Sequence, residues 1–253
     1  MITSSRGWVS FCSVAVLALA VSSPGRAQSS GSHSASHGSH GSSKAAGAAD
    51  PTHAVHEAMS GEMSANPHIR MSPRRVATAA DSARAERMVV NARAALAKYK
   101  DVRVAEREGY RAFAPNVKQD VYHYTKLGAA IREHFRLDVA QPSSLLYRED
   151  ADGSMQLVGA MYTAPKEAKW DQLDARVPLG IARWHLHTNM FVPPFSQRER
   201  WLEFDGGLPV FGPASPIATR EACDRVDGRF LPVVFNWMVH VNMFEPDVWG
   251  DHH

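Results

Sequence analysis

Apolar residues recur at steps of three and four positions between residues 79 and 113. This spacing matches the turn of an α-helix that buries one face. Asp81 or Ser82 is a suitable N-cap, and Pro115 lies where the pattern stops. The pattern predicts one long amphipathic helix, with a break near Asp101.

After Pro115 the pattern becomes an alternation of apolar and polar positions, which is typical of half-buried strands. An Asp- and Gly-containing turn at 150–153 predicts a hairpin between two of these segments. We therefore predict an α+β fold class, in which the long N-terminal amphipathic helix packs on a mostly antiparallel β-sheet. The predicted strands are residues 121–125, 144–148, 155–163, 182–192 and 233–245.

The first 27 residues have the pattern of an export signal. Arg6 precedes an apolar run at 8–21, and small residues lie at 25 and 27. The run is too short to span a bilayer comfortably but is suited to a signal peptide. We expect cleavage near Ala27 and a periplasmic or secreted protein. Later apolar runs are shorter than a bilayer requires, so we predict no transmembrane segment in the mature chain.

Residues 28–75 are rich in Ser, Gly and His and contain no aromatic residue, which predicts a disordered tail. A single α+β domain is predicted for 76–253. His33, His37 and His40 in the tail, with Met59 and Met63, suit weak capture of metal ions, and a plain solubilising linker is the alternative.

Charge and cysteine content exclude some classes of protein. The chain has 28 Lys and Arg against 26 Asp and Glu, and Arg6 and Arg26 lie in the predicted signal peptide. A mature chain with balanced charge is not expected to bind nucleic acid. Cys223 is the only cysteine outside the signal segment, so an intramolecular disulfide is excluded.

A ten-residue pattern, W-x-x-H-x-N-M-F-x-P, occurs at 184–193 and again at 237–246. In a strand, alternate residues share a face, so the two Trp residues and their apolar partners face a core. The His and Asn residues then lie together on the other face: His185, His187 and Asn189 from the first copy, and His240 and Asn242 from the second.

Two histidines at a spacing of two can converge on one metal ion, and a third from the repeat would complete a three-histidine site. We therefore predict that His185, His187 and His240 bring ring nitrogens within about 3–4 Å of each other. His123 is expected at the rim as a fourth ligand. Asn189 and Asn242 would orient the imidazoles. The metal would be Zn, Cu or Fe. A hydrogen-bonded histidine cluster and an ordinary solvated face are the alternatives.

The order Y-H-Y (122–124), S-L-L-Y-R-E-D (144–150), R-W-H-L-H-T-N-M-F (183–191) and F-N-W-M-V-H-V-N-M-F (235–244) resembles a group of exported bacterial proteins of unknown function. The resemblance covers about residues 80–250 and implies a shared domain, but no activity. Gly180 followed by His185 and His187 has a weaker resemblance to the first motif of the cupins, which implies a metal-dependent barrel enzyme.

Three functions remain open from the sequence. The first is an exported transition-metal-binding protein whose physiological role the sequence does not identify. The second is a secreted metal-dependent enzyme, of cupin-like dioxygenase or hydrolase type. The third is a structural or interaction domain without metal. Serine hydrolase, nucleotide-binding and H-E-x-x-H metalloprotease motifs are absent from the sequence, and no substrate is identified.

Overall fold

The computed structural model describes residues 66–115 and 119–250. These residues form several helices and a mostly antiparallel sheet, which confirms the α+β fold class. The predicted signal peptide and residues 28–65 of the predicted tail lie outside the described residues. Among the described helices, none is long and apolar enough to cross a membrane.

The predicted long helix starts where expected but is divided. Helix α1 is Ala79–Leu96, a 3-10 turn follows at Ala97–Lys100, and α2 is Val102–Arg107. The N-cap of α1 is Thr78, whose side chain accepts a hydrogen bond from the Asp81 amide, so the predicted caps are wrong.

The predicted break at Asp101 is confirmed, because Asp101 has an extended backbone and caps α2. The extension to residue 113 is wrong. After α2 the chain enters a short strand, β2 (Arg111–Ala112), which pairs with the next strand of the sheet.

The described residues contain nine further strands and three further α-helices. Besides β2, the strands are β1 (Ile69–Met71), β3 (Tyr122–Thr125), β4 (Ser144–Glu149), β5 (Met155–Ala164), β6 (His185–Val192), β7 (Phe204–Asp205), β8 (Leu208–Pro209), β9 (Arg229–Val233) and β10 (Trp237–Val241), and the helices are α3 (Leu127–Phe135), α4 (Trp170–Arg176) and α5 (Arg220–Arg225). Seven strands form a continuous antiparallel path in the order β1-β6-β10-β5-β4-β3-β2, and β9 also pairs with β6. A separate hairpin joins β7 to β8.

The main core lies between α1 and one face of the sheet. Met88, Ala92 and Leu96 of α1 belong to the same buried cluster as Trp184 and Trp237 of the two repeats. Leu186, Val239 and Val241 are buried there as well. The apolar face predicted from strand alternation is therefore the core face, and burial of such large side chains is the main source of stability in this layer.

Strand β1 lies inside the segment for which the sequence predicted a disordered tail. It pairs with β6, with Ile69 opposite His187 and Met71 opposite His185. The Ser72 amide donates to the Trp184 carbonyl at 2.7 Å. The prediction of disorder is wrong for residues 66–72, because main-chain pairing with a strand edge does not require an apolar sequence.

Gly159 of β5 lies where the chain at the end of β10 passes very close. A Cβ at this position would overlap the Val241 carbonyl oxygen and would lie 2.8 Å from the Asn242 Cα. Any side chain here would push β10 away from β5, and β10 carries His240.

We therefore expect Gly159→Ala to lower the free energy of unfolding by about 3 kcal/mol, the upper range of overpacking costs. Gly128→Ala in α3 is the matched control, since a Cβ there meets only Arg132 Nη1 at 3.7 Å. That control should be neutral or slightly stabilising, because Ala is the better helix former. Urea denaturation of both variants measures the difference, and equal stabilities would contradict the close approach.

Candidate functional site

Four histidines lie on the face of the sheet opposite the main core. His185 and His187 are on β6, His240 is on β10, and His123 is on β3. Met238 of β10 is the direct partner of His185, so β6 and β10 are neighbours at this point. His123 comes from further along the sheet, since β5 and β4 lie between β10 and β3.

The imidazole rings form a continuous chain of contacts. His123 Nε2 lies 3.3 Å from His240 Nε2, and the two ring centroids are 5.2 Å apart. The rings of His240 and His185 follow at 5.1 Å, and those of His185 and His187 at 5.6 Å. Side chains from three strands therefore converge, and the rings of His123 and His240 lean towards each other across β4 and β5.

The arrangement differs from the expected one in two respects. His123 contacts His240 directly, where the sequence placed it at the rim. His187 is the last ring in this series of contacts, and its ring centroid lies 5.8 Å from that of Phe235. The register pairs Met238 with His185, so His187 and His240 are not opposite each other as the repeat had indicated.

Two of the four rings are buried and two are half-buried. His185 is 3% exposed and His240 is 9% exposed, whereas His123 and His187 keep some exposed surface. Burial lowers the pKa of His123 to about 4. Burial also lowers the pKa of His187 to about 4, helped by the nearby His123 and His68. Removing a charged imidazolium from water is costly, so both rings are neutral at neutral pH.

The contact between His123 and His240 constrains where the protons lie. A neutral imidazole has one N–H donor and one acceptor nitrogen. With both Nε2 atoms at 3.3 Å, one ring donates through Nε2 and the other accepts. The same two nitrogens can instead bind an ion between them if neither Nε2 carries hydrogen, since only the unprotonated nitrogen is a ligand.

The described residues contain no ready three-ligand set of the usual kind. Within 66–115 and 119–250, no group of three or more His, Cys, Asp or Glu side chains is placed to hold a metal ion. The short contact between ring nitrogens is that of the pair His123 and His240. His185 approaches this pair through its ring contact with His240.

The side chains of the two repeated asparagines donate to main-chain carbonyls outside the histidine cluster. The Asn189 side chain donates to the Pro67 carbonyl at 3.4 Å, and the Asn242 side chain donates to the Gly250 carbonyl at 3.1 Å. Asn189 has a φ of +50°, which interrupts the strand alternation, and β10 ends before Asn242. Each asparagine instead fastens a neighbouring segment of main chain to its repeat.

The sequence did not single out His68, which anchors the segment before β1. It is 1% exposed. Its Nδ1 lies 2.7 Å from the Asn189 carbonyl oxygen and its Nε2 lies 2.6 Å from the Ser215 carbonyl oxygen. A carbonyl oxygen only accepts, so a ring nitrogen of His68 that carries hydrogen donates to the carbonyl oxygen it faces. No local pattern marked this residue, since its partners are far away in the chain.

Two exposed aromatic side chains border the histidine chain. Phe113 and Phe235 are both exposed, and their rings meet edge to face at 6.3 Å. Phe235 contacts His187, and the Phe113 amide donates to the His123 carbonyl. These two residues form an apolar rim beside His187 and His123.

Cys223 is remote from this chemistry. It is fully buried with Phe191 and Phe211 in a separate small cluster. Burial raises the pKa of its thiol, which disfavours the reactive thiolate.

No protein-family model, no curated protein and no solved structure matches this chain. The functional argument therefore depends on the geometry of its own residues.

Proposed function

We propose that the histidine cluster binds one transition-metal ion, with His123 and His240 as the first two ligands. The observation that carries the proposal is the 3.3 Å between their Nε2 atoms. Two nitrogens bound to one tetrahedral ion at about 2.0–2.1 Å are about 3.3–3.4 Å apart. The pair therefore already has the separation that ligation requires.

The ring positions support the same proposal. The centroid of a bound imidazole lies about 3.2 Å from the ion, so rings at neighbouring tetrahedral positions are about 5.2 Å apart. The distances are 5.2 Å from His123 to His240 and 5.1 Å from His240 to His185. His185 is thus the next imidazole within reach of the ion, through rotation of its ring, and His187 lies further out.

The protonation state favours binding. A ligating imidazole must be neutral, and protons compete with metal wherever the pKa is near the working pH. Burial holds the pKa of His123 and of His187 near 4. Protons therefore do not compete for these two rings at neutral pH.

The protein in this proposal is exported, with residues 1–27 as a signal peptide that is cleaved near Ala27. The His-rich tail then gathers ions at low affinity and the folded cluster holds one of them. Zn, Cu and Fe are the candidate ions, because imidazole suits all three.

One observation favours a second candidate, a metal-dependent enzyme. The rim of Phe113 and Phe235 offers an apolar contact beside a metal position, as small-molecule sites commonly do. A purely hydrogen-bonded cluster is the third candidate, and it accounts for the His123–His240 contact without any ion.

The test uses the full mature chain, made without an affinity tag, in which the tail histidines 33, 37, 40, 53 and 56 are replaced by Asn. Elemental analysis after equilibrium dialysis against Zn²⁺ should give one ion per chain. His240→Gln should weaken binding by about 100-fold or more, since loss of a ligand exceeds the loss of an outer partner.

His134→Gln is the control, because His134 is exposed on α3, away from the proposed ligands. It should bind like the parent. Absence of stoichiometric metal in the parent, or equal binding by the His240 variant, would overturn the proposal and leave the hydrogen-bonded cluster as the better account.

A further inference from the structure

Two methionines lie directly beside the proposed ligands. Met161 of β5 is the cross-strand partner of His240, and Met238 of β10 is the partner of His185. Direct partners in an antiparallel pair point to the same face, with Cβ atoms about 4.5–5.5 Å apart. Each of these two histidines therefore has a thioether side chain as its nearest cross-strand neighbour.

These methionines are not part of the main core. Met161 and Met238 are 8% and 7% exposed and belong to a small separate cluster with Leu146 and Val158. That cluster lies on the histidine side of the sheet, whereas α1 covers the other side. Met71 of β1 is a third methionine opposite His185, and it is partly buried.

The ligands of this proposal carry no charge of their own: an imidazole binds a metal through an unprotonated nitrogen, and a thioether is neutral. The cost of burying an ion rises with the square of its charge, so a divalent ion costs about four times as much as a monovalent one in the same surroundings. Neutral, buried ligands therefore favour a monovalent ion.

From these observations we propose that the ion is monovalent copper, bound by His123, His240 and the Met161 thioether, with Met238 next to it. The inference rests on the proposed metal site. Thioether sulfur is a soft ligand that selects Cu⁺ over Zn²⁺. Cu⁺ also accepts two or three ligands. This fits a site where two imidazoles are in place and where the described residues provide no third His, Cys, Asp or Glu ligand.

The experiment compares Cu⁺ and Zn²⁺ binding to the same full mature chain, with the tail histidines replaced as above and Met59 and Met63 replaced by Leu. Cu⁺ is titrated under anaerobic conditions with ascorbate, in competition with bathocuproine disulfonate. Zn²⁺ is titrated in competition with a zinc-binding dye. The variants are Met161→Leu and the double variant Met161→Leu/Met238→Leu, which keep the apolar volume of the small cluster.

Met161→Leu should lower the affinity for Cu⁺ by about tenfold, and the double variant by more, with Zn²⁺ affinity changed less than about twofold. Met88→Leu is the control, because Met88 is equally buried but lies under α1 in the main core. It should change neither affinity. Near-ultraviolet circular dichroism of each variant checks that the fold is kept.

Unchanged Cu⁺ affinity in the double variant would overturn the copper inference, and so would an equal loss for both ions. Failure of the underlying metal site gives a different result, because His240→Gln would then bind both ions like the parent. The methionine and histidine variants therefore separate the two proposals.

Discussion

Glu133→Ala is expected to lower the free energy of unfolding by about 3–5 kcal/mol, because it removes the acceptor of three buried hydrogen bonds. Glu133 lies in α3 and is 1% exposed. It accepts hydrogen bonds from the Ser143 amide at 3.1 Å, the Thr163 amide at 2.8 Å and the Thr163 hydroxyl at 2.7 Å. Without the carboxylate, two main-chain amides remain buried without an acceptor.

Two variants make this test specific. Glu133→Gln keeps one acceptor oxygen and should lose clearly less stability than Glu133→Ala. Glu86→Ala on the exposed side of α1 should stay within about 0.5 kcal/mol of the parent. Urea denaturation gives all three values. A loss below about 1 kcal/mol for Glu133→Ala would contradict this account of how α3 is joined to β5.

The metal-free protein is expected to lose stability as the pH falls from about 6.5 to 4. Burial lowers the pKa of both His123 and His187 from 6.5 to about 4. Between these values the unfolded chain binds two protons that the folded protein does not. Each proton tilts the free energy of unfolding by about 1.4 kcal/mol per pH unit, so stability falls with falling pH.

Glu133 acts in the opposite direction over part of this range. Burial raises its pKa from 4.5 to about 7, although hydrogen bonds from Thr163 and Ser143 offset part of this effect. From pH 4.5 to 7 the folded protein keeps a proton on Glu133 that the unfolded chain has lost. The contribution of Glu133 to the free energy of unfolding therefore decreases as the pH rises. For these three groups together, the unfolded chain binds about one more proton than the folded protein between pH 4.5 and 6.5, so the free energy of unfolding still falls as the pH falls.

Variants separate these contributions, measured by urea denaturation in the presence of chelator. Glu133→Gln should about double the slope, because it removes the group that acts against the two histidines. The double variant His123→Gln/His187→Gln should reverse its sign, since only Glu133 remains of the three. His134→Gln, at an exposed position, should behave like the parent. A double variant with the parental slope would show that the two histidines are not held neutral by burial.

The periodicity of apolar residues predicted the layers of the fold, because the residues that are buried set this periodicity within each helix or strand. The core faces of both repeats and the start of α1 follow from the positions of apolar residues alone. Strand β1 was not predicted because main-chain hydrogen bonds to β6 hold Ile69, Arg70 and Met71 in place. Such bonds do not require a particular amino-acid composition. The end of the helical region was wrong because β2 forms only by pairing with β3.

The sequence indicated which histidines lie near one another, but not how their rings contact. Strand alternation placed His185, His187 and His240 on one face, and the structure brings His123 to the same cluster. Which ring contacts which depends on the register of β6 against β10 and on the positions of β5 and β4 in the sheet. Both are set by residues far apart in the sequence. The main-chain contacts of the asparagines could not be predicted, because the repeat suggests continuous alternation and the positive φ of Asn189 interrupts it.

X-ray absorption at the metal edge tests the central claim most directly, since it counts the imidazole rings around the ion. The sample is the chain from residue 28 to 253 with histidines 33, 37, 40, 53 and 56 replaced by Asn, loaded with one equivalent of Zn²⁺ and, separately, of Cu⁺. The account predicts at least two imidazole nitrogens at about 2.0 Å, one of which is lost in His240→Gln. An ion surrounded by oxygen ligands only, or a spectrum unchanged by His240→Gln, would contradict it.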